Sequence, residues 1–83
     1  MADEVLQHEL LWWVVALGRE HPRGEVPQQV LMEQIERRLG RHSENYERYL
    51  GAAALTRKGL VESNTSDYAF LAATDRGRRT VGD

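Results

Sequence analysis

Arg41, Ser43, Asn45 and Arg48 are the residues whose types and spacing best fit a chemical task. They fall in a turn and in the first residues of the helix expected after it. A guanidinium at such a turn can hold a phosphate, and Ser43 can cap the helix. Asn45 and Arg48 are the residue types that read adenine and guanine edges in a major groove. A plainer reading makes Ser43 a cap only and pairs Arg48 with Glu44 at i, i+4. A second basic cluster, Arg76, Arg78 and Arg79, follows Thr74 near the C-terminus. It suits phosphate contact, or equally a solvated face that pairs with the acids of the first helix.

Other chemistries find no support. His8, His21 and His42 are scattered without metal-ligand spacing, and the chain has no cysteine. There is no glycine-rich phosphate loop and no nucleophile motif. Glu33 and Glu36 share a helix face at i, i+3, which is ordinary on a polar surface. No catalytic constellation emerges, so neither an enzyme, a cofactor nor a metal is expected.

Charge is divided along the chain. Residues 1–36 hold seven acids against two arginines, a net −5. Residues 37–83 hold nine bases against six acids, a net +3, within a total of −2. Such asymmetry can mark a side that faces nucleic acid, or chance clustering on a solvated surface.

The elements that must position these residues are legible from periodicity and stop signals. A first helix is expected from about Asp3 to Arg19, with Leu6, Leu10, Trp13, Val14 and Leu17 in one stripe. His21-Pro22-Arg23-Gly24 is a loop, and Glu25-Val26 suits a short strand. Pro27 fits the first turn of a second helix, which runs to Leu39 and stops at Gly40. A third helix follows Ser43. It ends at Gly59, with Arg57 and Lys58 placed where a helix dipole favours cations. Leu60-Val61 starts a strand, Asn64-Thr65-Ser66-Asp67 a turn, Tyr68-Ala69-Phe70-Leu71 a second strand, and Thr74 caps a last helix.

The third helix admits two registers. In one, implied by a resemblance of Leu55 and Gly59-Leu60-Val61 to winged helix-turn-helix domains, Leu55, Ala52 and Arg48 face inward, which turns Tyr46, Glu47, Leu50 and Ala54 outward. In the other, Tyr46, Leu50 and Ala53 are buried, and Glu44, Asn45, Arg48 and Gly51 are exposed, which suits contact with base edges better. Gly51 marks either a bend or tight packing against the first helix.

Leu55, then Gly59-Leu60-Val61, a hairpin, and Thr74-Asp75-Arg76-Gly77 together resemble the end of the winged helix-turn-helix domain of PadR-like and MarR-like regulators. The resemblance implies an α+β fold over residues 1–83: a small winged helix of three helices, a two-stranded antiparallel wing and a short C-terminal helix. It implies a DNA-binding transcriptional regulator, with Arg41, Ser43, Asn45, Arg48, Lys58, Arg76, Arg78 and Arg79 on double-stranded DNA. Two alternatives remain open. One is a winged-helix protein–protein interaction module without DNA binding, favoured by the net negative charge and a wing tip that lacks Arg or Lys. The other is a phage-type accessory protein resembling an excisionase.

The first helix is apolar nearly all round. Val5, Leu11, Trp12, Val15 and Ala16 fall largely outside its main stripe, so its second side is expected to meet another subunit or a C-terminal segment of the same chain. A homodimer through these five residues is the favoured expectation. The apolar run from Leu10 to Leu17 is too short to span a bilayer. Acids precede it where a signal peptide would carry positive charge, so a cytoplasmic protein is expected.

Overall fold

The computed structural model describes residues 4–40, 45–65 and 67–82, except for the side chains of Asn45 and Tyr46. The chain runs α1 (Glu4–Gly18), β1 (Val26–Pro27), α2 (Gln28–Leu39), α3 (Asn45–Arg57), β2 (Val61–Glu62), β3 (Phe70–Ala73) and α4 (Asp75–Thr80). The described residues form an α+β domain of four α-helices, a 3-10 turn at Pro22–Gly24 and one three-stranded antiparallel sheet, ordered β1-β3-β2. Among the described residues, no helix is long and apolar enough to cross a membrane.

The sheet is short because few residues pair. Val26 lies opposite Leu71 and Pro27 opposite Phe70. Val61 lies opposite Ala73 and Glu62 opposite Ala72. Pro27 is tolerated because β1 is an edge strand that needs no further donor. Tyr68 and Ala69 precede the second strand of the hairpin rather than joining it, since Tyr68 has a positive φ of 57° and leaves extended geometry.

α1 is the central element. Leu6, Leu10 and Val14 are fully buried, and they meet Leu31, Met32 and Ile35 of α2 and Ala52 and Leu55 of α3 in one core. Val26, Val61 and Leu71 close that core from the sheet. α3 stops as expected. Gly59 takes φ +73°, and the Leu60 N–H reaches back to the Leu55 carbonyl at 3.0 Å, a six-to-one closure.

The Thr74–Gly77 segment closes the domain. The Thr74 hydroxyl accepts from the Gly77 N–H at 3.0 Å, which caps α4. The same hydroxyl donates to the Gly59 carbonyl at 2.6 Å, and the Thr74 N–H donates to the Leu60 carbonyl at 3.1 Å. A side chain at Gly77 would meet that Leu60 oxygen at 2.0 Å. Gly59, Thr74 and Gly77 therefore serve one junction, where α4 locks onto the end of α3.

Candidate functional site

The face that α3 shows to solvent is decided at Gly51. A Cβ there would lie 2.8 Å from the Leu10 Cδ1, so α1 and α3 approach closely at this point. With that contact made, Ala52 and Leu55 are 0% and 2% exposed. Arg48, one turn earlier, is carried to the same side. Its Nη2 lies 3.7 Å from the Glu36 Oε1 on α2, and its side chain is only 19% exposed. The register that would present Arg48 and Gly51 to a base is thus not adopted. Arg48 is turned inward because the shape of the α1–α3 contact outweighs the solvation of one guanidinium, which Glu36 also compensates.

The sequence pattern missed what the outer face carries. Tyr49 is 48% exposed, with Leu50 and Ala53 half-buried beside it. Arg57 is the exposed residue at the helix end. Tyr68, from the hairpin, sets its ring edge-on to Tyr49, with centroids 5.2 Å apart. An exposed tyrosine on a helix gives no periodic signal, and this partner lies nineteen positions away across a turn. The outer register expectation holds only in part, since Ala54 is buried rather than turned outward.

The hairpin loop folds on its own polar groups. The Ala69 N–H donates to the Asp67 carboxylate at 3.2 Å and to the Thr65 hydroxyl at 3.1 Å. Ser63 Oγ accepts from the Thr65 N–H at 3.4 Å. These are turn-closing bonds, and the described part of the loop brings no cation to its tip.

The basic residues divide. Arg41 and Ser43 lie outside the described residues, and Asn45 is known only by its place as the first residue of α3. Lys58 is exposed, and its Nζ donates to the Gln7 Oε1 at 2.9 Å, tying the end of α3 to α1. An Arg76 nitrogen lies 4.0 Å from where a Gly59 side chain would begin, so Arg76 reaches the corner next to Lys58. Arg78 pairs with Asp75 and donates to the Ala73 carbonyl at 3.1 Å. Arg79 is exposed. Of the residues expected on DNA, Lys58, Arg76, Arg78 and Arg79 therefore lie toward the α3 C-terminus and α4, and Arg48 lies against Glu36.

On α1 the five expected interface residues separate in the same way. Leu11 and Val15 are 3% and 6% exposed within their own chain. α4 covers Leu11, whose Cδ1 would be 3.2 Å from a Gly77 side chain. The C-terminal segment thus takes up this part of the second apolar side, and Leu11 and Val15 are core rather than outer surface. Ala16 is half-buried. Val5 and Trp12 remain 56% and 45% exposed.

Among the described residues, no three His, Cys, Asp or Glu side chains come together as a metal site. Compared with known proteins, no family model, no curated relative and no solved structure matches this chain.

Proposed function

We propose that this domain is a winged helix that works as a protein-interaction module, self-associating through α1 and docking a protein target on α3 and the β2–β3 hairpin. The element order and the Thr74–Gly77 junction support the winged-helix reading. One observation carries the interaction reading: the outer face of α3 is Tyr49, backed by Tyr68, while Arg48 is held against Glu36. Tyrosine combines a large apolar area with a hydroxyl and is enriched where proteins meet. Among its described residues, the same face has little with which to hold phosphates or read base edges.

A second reading, a DNA-binding transcriptional regulator, is favoured by the exposed cations Arg57, Lys58, Arg76 and Arg79. An anisotropy titration on mixed-sequence duplex at low and moderate salt separates the two. The interaction reading expects no affinity beyond about 10⁻⁴ M and no steep salt slope. Tighter binding whose logarithm falls with log salt, by a slope equivalent to several phosphates, would establish the DNA reading instead. A protein partner retained by the wild-type chain and by Arg79→Ala, but lost on Tyr49→Ala, is the positive result.

A further inference from the structure

Tyr49, Ala53 and Arg57 follow one another at four-residue steps, so they stand in one line on the outer side of α3. The line is about 12 Å long at the helical rise. Tyr49 and Arg57 are exposed and Ala53 is half-buried, so the smallest of the three side chains lies between a ring and a guanidinium. Tyr68 widens the aromatic end by setting its own ring against Tyr49.

The cationic end keeps its charge. Arg57 has Ala53 and Ala54 at i−4 and i−3 and Lys58 after it, so its own helix places no acid beside it. Among the described residues, Arg57 enters no ion pair. Lys58 donates to the neutral Gln7 amide, and Arg76 reaches the same corner. At the aromatic end the charge has the other sign, since Asp67 is exposed next to Tyr68 in the chain. The face is therefore polarised along its length, and complementarity asks for negative charge opposite Arg57.

We infer that the segment docked here is an acidic amphipathic peptide. A bulky apolar side chain rests on Ala53 against Tyr49, and a carboxylate further along the peptide binds Arg57. The inference rests on the docking reading above and names the chemistry of the target. Single-stranded nucleic acid also uses rings and cations. The 69° between the Tyr49 and Tyr68 planes favours the peptide, because rings set edge-on do not offer the successive parallel faces on which neighbouring bases stack.

Selection of displayed random peptides of about 15 residues against the full chain, followed by anisotropy titration of those enriched, tests this. The enriched peptides are expected to carry Asp or Glu within roughly two helical turns of a bulky apolar residue. Tyr49→Ala should weaken them at least roughly 30-fold, as for an aromatic anchor. Arg57→Glu should weaken them several-fold, and replacing the peptide's acid with lysine should restore binding to that variant. Both side chains are exposed, and circular dichroism of each variant should match that of the parent. Peptides that need Tyr49 but carry no acid, or that ignore the Arg57 reversal, would overturn the acidic target and leave the docking reading standing. Peptides indifferent to Tyr49→Ala, or a library that yields none, would remove the docking reading and this inference with it. Binding of a labelled oligo-dT strand that Tyr49→Ala abolishes would put single-stranded nucleic acid in the peptide's place.

Discussion

Replacing Gly77 with alanine should destabilise the domain, although alanine is the better helix former. The added Cβ would lie 2.0 Å from the Leu60 carbonyl oxygen and 3.0 Å from its carbon. Ordinary contact begins near 3.4 Å, so α4 or the Leu60 peptide must retreat by the difference, about 1.4 Å. Neither is a flexible side-chain end. The retreat pulls on the Thr74 N–H to Leu60 bond at 3.1 Å and on the Thr74 hydroxyl to Gly59 bond at 2.6 Å. Overpacking typically costs about 1–3 kcal/mol, and each hydrogen bond contributes about 0.5–1.5 kcal/mol. Helix propensity returns about 1 kcal/mol. The net loss is roughly 1–5 kcal/mol, and its middle value of about 3 kcal/mol lowers Tm by roughly 12–24 °C in a domain of this size. Thermal and urea unfolding followed by circular dichroism would measure it. Gly51→Ala is the internal comparison, because the atom nearest its Cβ is the Leu10 Cδ1 at 2.8 Å, a side-chain end rather than backbone, with the Leu6 side chain no nearer than 3.9 Å. Its net effect should stay within about 1 kcal/mol, since the propensity gain offsets the strain. A Gly77→Ala protein as stable as the parent would refute the claim that α4 is locked against the Leu60 carbonyl.

Three other outcomes follow from the same geometry. Thr74→Ala removes both the α4 cap and the bond to Gly59 and should cost about 1–2 kcal/mol in urea unfolding, with Thr74→Ser recovering most of it. Arg48→Ala should lower stability by roughly 1–2 kcal/mol, between an exposed and a buried pair, and leave any DNA titration unchanged. A drop in DNA affinity with unaltered stability would return Arg48 to the role of a base reader. A double-mutant cycle of Tyr49→Ala and Tyr68→Ala should give a coupling of about 0.5–1.5 kcal/mol, and strict additivity would mean that the two rings do not meet in solution.

The order of elements was legible in the sequence because it is set by local chemistry. Gly40 and Gly59 end α2 and α3 in the left-handed conformation that glycine alone enters without strain. Thr74 caps α4 as expected, whereas Pro27 pairs with Phe70 in the edge strand instead of lying in the first turn of α2. The stops and the cap are decisions made within a few residues, and no partner is needed to make them. The outward faces were not legible, and the reason is physical. α3 carries Tyr46, Tyr49, Leu50, Ala52, Ala53, Ala54 and Leu55 around most of its circumference, so its apolar pattern does not choose a side. α1 is apolar nearly all round in the same way. The choice is made only when the two helices meet, where Gly51 admits the Leu10 side chain. That contact turns Arg48 toward Glu36 and leaves Tyr49 outside. Likewise, only the folding back of α4 over Leu11 decides which part of the second apolar side of α1 is core, and so leaves Val5 and Trp12 as surface.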